Sequence, residues 1–84
     1  MSSTIFFERL QSIKDKNYPE NAISQFEEIA LSNNGKLPNI FHVTNIGRNT
    51  ICKILTDLSF KEFEDFNVYA PNGPNSPIRQ IILF

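Results

Sequence analysis

The chain has 84 residues, of which 40% are hydrophobic and eight are phenylalanine, enough for the core of one small domain. Eight Lys and Arg residues against nine Asp and Glu residues give a formal net charge of −1, so the strongly basic balance of many nucleic-acid-binding domains is absent. The single cysteine, Cys52, excludes an internal disulfide and fits a reducing compartment.

The N-terminal sequence MSSTIFFERL has neither the basic segment nor the long apolar run of a signal peptide. No stretch of the chain approaches the roughly 20 apolar residues that span a membrane. We therefore expect a cytoplasmic protein that makes no membrane contact. Asn, Ile, Lys, Phe and Ser are frequent and Gly is scarce, a bias typical of AT-rich coding sequences in many phages, plasmids and low-GC bacteria.

Two amphipathic helices are predicted at the start of the chain. The first, over 3–16, carries apolar residues at helical spacing and ends before Pro19. The second, over 19–32, has a wider apolar stripe and ends at an Asn-Asn-Gly sequence suited to a left-handed C-cap. Phe6 and Phe7 form an exposed-looking pair, so we expect homodimerisation through the first helix.

The middle of the chain predicts a helix, a tight turn and another helix. Pro38 suits the first turn of a short helix over 38–44. Asn45 and Gly47 tolerate the unusual backbone conformations of a tight turn. In the following helix, over 48–60, apolar side chains fall on one face and polar side chains on the opposite face. This is the outline of a helix-turn-helix.

The last part of the chain is rich in β-forming residues. Residues 66–70 alternate and residues 78–84 form a second apolar run, so both predict strands. The intervening residues 71–77 include three Pro, one Gly and two Asn, which indicate a loop. The two strands predict a β-hairpin directly after the last helix, and the whole chain predicts one α+β domain over 1–84.

The run GRNTICKILTDL combines a small residue, Arg, Asn and Thr, spaced aliphatic residues and a basic residue. It resembles the recognition-helix pattern of the winged helix-turn-helix superfamily, strongly over 37–58 and more loosely to residue 84. Phe41 and Thr44 depart from the family pattern, which has a small and an apolar residue there. The resemblance implies a small winged helix, with the hairpin as its wing and 1–17 as an extra N-terminal helix.

The same resemblance implies a small transcriptional regulator that sets the helix after Gly47 in the major groove of double-stranded DNA. The DNA-binding residues would lie on that helix and beside the wing, where they would contact base edges and phosphates: Arg48, Asn49, Thr50, Lys53, Thr56 and Arg79. With so few cations, one copy should bind weakly, and useful affinity would need a dimer or a protein partner.

The alternative is a non-catalytic protein-interaction module, such as a phage- or pathogen-encoded adaptor or inhibitor of a host protein. Residues 60–66 support it, because they interleave three Phe with three acidic residues. His42 stands alone, and Cys52 has no neighbouring His to activate it. The sequence contains no zinc-ligand spacing, P-loop or catalytic set. We therefore expect no enzyme, no cofactor and no metal.

Overall fold

The computed structural model describes the backbone of residues 2–84 and the side chains from Glu8 onward. Its elements, in chain order, are α1 (Ser2–Ile13), α2 (Glu20–Leu31), β1 (Ile40–Thr44), α3 (Arg48–Asp57), β2 (Phe66–Tyr69) and β3 (Ile78–Leu83). A 3₁₀ turn over Lys14–Lys16 extends α1. The expected α+β class is confirmed. The Phe6 and Phe7 pair behind the predicted homodimer lies outside the described side chains.

The two predicted N-terminal helices are confirmed. α2 begins and ends within one residue of the predicted helix and buries its apolar stripe. Asn34 and Gly35 follow it with φ of 59° and 84°, and the Gly35 N–H donates to the carbonyl of Ala30 at 2.8 Å. The Asn-Asn-Gly sequence therefore ends the helix in the left-handed manner expected of a C-cap.

The predicted short helix over 38–44 is wrong, because Ile40–Thr44 forms strand β1. Its side chains alternate between exposed and buried, which is the period of two that a half-buried strand requires. β1 pairs antiparallel with β3, so that Phe41 lies opposite Ile81. The helix-turn-helix predicted here is therefore not formed, since a strand precedes α3.

In the turn between β1 and α3, unusual backbone conformations were expected at Asn45 and Gly47, and only Asn45 adopts one. Asn45 has a φ of 61°, whereas Gly47 has an extended backbone with a φ of −69° and serves as the N-cap of α3. α3 ends at Asp57, three residues before the predicted end. Ser59 follows with a φ of 79°, which leaves the helical region and turns the chain away.

The sheet has the order β1-β3-β2, and both pairs are antiparallel. The predicted C-terminal hairpin is confirmed, with Phe66 opposite Leu83 and Tyr69 opposite Gln80. Gly73, in the hairpin loop, has a φ of 102°, which an L side chain rarely adopts. β1 adds to the free side of β3, so the strand that was predicted as a helix makes the hairpin into a three-stranded sheet.

The core lies between the helices and one face of the sheet. Phe26 of α2 is fully buried and meets Phe41 of β1 edge to face, with 5.8 Å between ring centroids and 73° between ring planes. The largest fully buried side chains come from all three helices and all three strands: Phe26, Phe66, Leu10, Ile51, Ile54, Leu55, Ile81 and Val43. Because the helices cover only one face of the sheet, its other face remains open.

Candidate functional site

The exposed face of α3 matches the face predicted from the sequence. Asn49, Lys53 and Thr56 recur at spacings of four and three and are exposed, whereas Thr50 is half-buried. The opposite face of the helix is buried in the core. This separation follows from the amphipathic pattern of α3, whose apolar side chains pack inward and leave a polar stripe in solvent.

Arg48, the first residue of α3, is held by the segment that follows the helix. Its Nη2 lies 3.0 Å from Oε1 of Glu62, and both side chains are partly exposed. Its Cζ lies 5.7 Å from the centroid of the Phe63 ring, a cation–π distance. The guanidinium therefore has an acidic and an aromatic partner within the chain, and binding a phosphate would compete with both.

Arg79 is half-buried on β3 and folds back onto its own loop. Its Nη1 donates to the carbonyl of Ser76 at 2.6 Å and to that of Ile78 at 3.3 Å. The structure thus brings the five predicted residues of α3 together on one helix, while the contacts of Arg79 are made within the hairpin. No sequence pattern foretold these backbone contacts of the guanidinium.

Other cations also have acidic partners. Lys14 Nζ lies 2.7 Å from Glu27 Oε2, and Lys16 Nζ lies 3.6 Å from an oxygen of Asp57. The first contact lowers the pKa of Glu27, with the hydrogen bond from Lys14 as its main cause. Among the side chains from Glu8 onward, Lys53 is the cation of the α3 face that makes no ion pair. Acids therefore pair with four of the eight cations of the chain, Arg48 at the start of α3 among them, which weakens the attraction of this face for a phosphate backbone.

A tight turn over 61–65, here called the Phe63 turn, presents an aromatic ring to solvent. The Lys61 N–H donates to a carboxylate oxygen of Asp65 at 2.8 Å, and the Asp65 N–H donates back to the Lys61 carbonyl at 2.7 Å. The Phe63 N–H donates to the Phe66 carbonyl at 3.2 Å. Phe63 has a φ of 68° and is 67% exposed. These bonds hold an exposed ring in a backbone conformation that bulky residues rarely adopt.

The sequence pattern found this segment but did not distinguish its three aromatic residues. Phe66 is fully buried at the start of β2, Phe60 is half-buried against the core, and Phe63 is exposed. Glu62 and Glu64 flank the exposed ring along the chain. The even spacing of the three Phe suggested one buried face, but the chain leaves the helix before Phe63, so the spacing no longer reports a helical face.

A shallow cavity of about 230 Å³ lies beside α3, lined by Tyr18, Cys52, Lys53, Thr56, Asp57 and Glu62. The Tyr18 hydroxyl donates to the Asp57 carboxylate. Burial, with Asp57 adding to it, raises the pKa of Tyr18 to about 12. Burial also raises the pKa of the Cys52 thiol, and Glu62 at 3.6 Å adds to that effect while Arg48 opposes it. A protonated thiol and a protonated phenol supply no nucleophile at neutral pH.

The face of the sheet turned away from the helices, here called the open sheet face, carries no charged side chain. Its members follow from the register, which places His42, Gln80 and Tyr69 side by side on the three strands. The whole set comprises Ile40, His42 and Thr44 from β1, Asn67 and Tyr69 from β2, Ile78, Gln80 and Ile82 from β3, and Phe84 just beyond β3. Sequence patterns did not predict this surface, because the residues of β1 were predicted to be helical.

The outer edge of β1 faces α2 across a groove of about 330 Å³. The Gln25 side-chain amide donates to the Thr44 carbonyl at 2.7 Å and accepts from the Thr44 N–H at 2.9 Å. These two bonds reproduce those of a neighbouring strand at one residue, so Gln25 covers part of an edge that would otherwise be open to pairing.

Among the side chains of residues 8–84, no group of three or more His, Cys, Asp or Glu residues could hold a metal ion. Within residues 2–84, no helix has the length and apolar composition needed to cross a membrane.

Comparison of the chain with protein-family models, with curated proteins and with solved structures gives no match.

Proposed function

We propose that the protein is a non-catalytic protein-interaction module that uses the Phe63 turn as its docking element. The observation that carries this proposal is a phenylalanine that is 67% exposed although its turn is closed by hydrogen bonds at both ends. An aromatic side chain on a preformed turn loses little conformational freedom on binding. Aromatic anchors of this kind contribute most of the binding energy of many interfaces.

The left-handed backbone conformation of Phe63 also supports a binding role for the Phe63 turn. Holding a non-glycine residue in the left-handed region costs on the order of 1–3 kcal/mol. The reciprocal bonds between Lys61 and Asp65 and the contact with Arg48 offset that cost. Strain of this kind tends to persist at ligand-binding positions. Here it aims an apolar ring outward, whereas folding alone would favour burying it.

The surroundings of the ring indicate the chemistry of the partner. Glu62, Glu64 and Asp65 lie within one or two residues of Phe63, and the cations nearest in sequence or contact, Lys61 and Arg48, are paired with acids. A complementary surface would have an apolar pocket for the ring and Lys or Arg at its rim. Rim charges of this kind mainly raise the association rate and select the partner.

DNA binding is the second candidate, and the exposed polar stripe of Asn49, Lys53 and Thr56 favours it. In that proposal the domain acts as a winged helix, with α3 as the recognition helix and the hairpin of β2 and β3 as the wing. The strand before α3, the pairing of Arg48 and the internal contacts of Arg79 support it less than they support protein binding. We therefore place it second.

The two candidates are separated by capture from a lysate of the organism that encodes the chain, with immobilised wild-type protein, Phe63→Ala and Leu31→Ala. Leu31 is 70% exposed, at the end of α2, so it is a matched apolar control away from the turn. A partner retained by wild type and Leu31→Ala, but bound at least about 30-fold more weakly by Phe63→Ala, supports the proposal, since an anchor contributes about 2 kcal/mol or more.

The DNA arm uses a mixed-sequence duplex and a salt series. Binding that weakens with salt and is lost in Asn49→Ala/Lys53→Ala, while Phe63→Ala behaves as wild type in both assays, would overturn the protein-binding proposal in favour of the DNA regulator. Circular dichroism of each variant verifies the fold. Phe63→Ala should lower the free energy of unfolding by no more than about 1 kcal/mol, because the exposed ring loses only its cation–π contact with Arg48.

A further inference from the structure

The open sheet face carries most of the large hydrophobic side chains that are exposed in the described part of the molecule. Of the five large hydrophobic side chains exposed among residues 8–84, it carries Ile40 at 54%, Tyr69 at 46% and Phe84 at 71%. Ile78 and Ile82 lie between them, half-buried, and neither joins the core cluster. Contiguous exposed apolar surface of this kind marks an interaction site.

The face has no charged side chain with which to select a charged partner. Its polar members are His42, Thr44, Asn67 and Gln80, with the hydroxyl of Tyr69. The acidic residues of the chain and the paired cations lie elsewhere, on the helices and the Phe63 turn. A basic peptide or a nucleic acid would therefore find no counter-charge here, whereas a second copy would meet no like-charge repulsion.

The central row of the face is complementary to itself. His42, Gln80 and Tyr69 are neighbours across the three strands. A carboxamide, a neutral imidazole and a phenol each both donate and accept hydrogen bonds. In a two-fold contact the same patch meets itself, so every donor in this row finds an acceptor in its own copy. Apolar residues lie on both sides of the row, Ile40 and Ile82 on one side and Ile78 on the other.

We propose that two copies of the chain associate face to face through the open sheet face, which gives a dimer with the two sheets inside and the helices outside. Packed sheets lie about 10 Å apart with interdigitating side chains. This surface adjoins the Phe63 turn at one end, where the Phe84 N–H donates to the Asp65 carbonyl at 2.9 Å. It is distinct from the first helix, which the sequence had suggested for dimerisation.

The size of the face sets the strength of the contact. The three strands have five, four and six residues and span about 14 Å by at most about 20 Å, a footprint of at most about 280 Å². A stable interface buries about 800 Å² per partner, so the face corresponds to a weak and reversible dimer. Interfaces of standard size reach micromolar affinity or better, so this smaller one should form only at chain concentrations well above about 1 μM and dissociate on dilution.

Gln80 provides the decisive test because it lies at the centre of the middle strand and hence near any two-fold axis through the face. Gln80→Glu and Gln80→Lys each place two like charges at that axis, so each variant alone should remain monomeric in sedimentation equilibrium. An equimolar mixture places opposite charges there and should recover the dimer mass seen for wild type. Ser24→Glu and Ser24→Lys, on an exposed position of α2, are matched controls that should dimerise as wild type does.

Circular dichroism verifies that the Gln80 variants fold. If either does not, His42→Glu and His42→Lys repeat the design on the exposed neighbouring position of β1. A wild-type chain that stays monomeric at the highest concentration would overturn the proposal. Dimerisation that persists in both single charge variants would also overturn it, because the contact would then lie on another surface.

Discussion

Tyr18→Phe removes a single hydroxyl that links the N-terminal helices to the end of α3. The hydroxyl donates to the carboxylate of Asp57, 39 residues further along the chain. Lys16 approaches the other oxygen of that carboxylate at 3.6 Å. The folded state therefore favours the protonated phenol, because burial and the neighbouring negative charge both disfavour tyrosinate.

The magnitude follows from the pKa of Tyr18, which rises from 10.0 to about 12 on folding. Two pKa units correspond to a ceiling of about 2.7 kcal/mol. Tyr18 is only half-buried, so solvent screening reduces this contribution to about 1 kcal/mol. Because the folded pKa is raised, this stability is fully present below pH 10 and is lost as the pH rises from 10 towards 12. Tyr18→Phe should lower the free energy of unfolding by about 1 kcal/mol at neutral pH.

The assay takes advantage of the composition, since the chain has two tyrosines and no tryptophan. In Tyr69→Phe the ultraviolet absorbance of tyrosinate reports Tyr18 alone, and its titration midpoint should lie near pH 12. Adding Asp57→Asn should lower that midpoint. Tyr69→Phe is also the stability control in urea unfolding, because its hydroxyl makes no hydrogen bond within residues 8–84. A midpoint near pH 10 together with an unchanged stability of Tyr18→Phe would refute the reasoning.

Three further substitutions or reactions test the fold. Phe26→Ala should lower the free energy of unfolding by about 3–5 kcal/mol in a denaturant titration, because the ring is fully buried against Phe41, and a loss below about 1 kcal/mol would contradict the packing. Gln25→Ala should cost about 1 kcal/mol and speed amide exchange at Thr44, whereas unchanged exchange would show that the two bonds at that residue are not formed. Cys52 should be alkylated at least about tenfold more slowly in the folded chain than in urea, because burial protects the thiol and raises its pKa, and equal rates would place it at the surface.

The elements that the sequence predicted correctly are those whose signals are local. α2 carries its apolar stripe, its proline start and its Asn-Asn-Gly end within 17 residues, so nothing distant is needed to define it. The hairpin of β2 and β3 is likewise defined by two β-forming runs around a loop that proline and glycine keep out of regular structure. The exposed stripe of α3 follows from helical periodicity alone.

β1 was mispredicted because its strongest determinant is not local. A five-residue segment is too short for periodicity to distinguish a strand from a helix. Pro38 before the segment and the Asn45-Ile46-Gly47 sequence after it also suit helix boundaries. The segment becomes a strand because β3, which begins 34 residues after Thr44 and pairs with it at Ile78, supplies its backbone partners. The contact of Arg48 with Glu62 could not be predicted for the same reason, because the two residues are 14 positions apart and the chain changes direction between them.

Residues 40–44 form a strand and not the predicted helix, and this difference changes which functions the molecule can support. As a helix, the segment would have braced α3 against a DNA groove and left β2 and β3 as an isolated two-stranded wing. As a strand, it pairs with β3 and places Ile40 and His42 beside Ile82 and Gln80. The uncharged three-stranded sheet face therefore forms only because residues 40–44 are a strand. The acidic side chains lie on the helices and the Phe63 turn, where they pair with four of the eight cations. These two features are the grounds on which we propose a protein surface, and not a polyanion, as the first candidate partner.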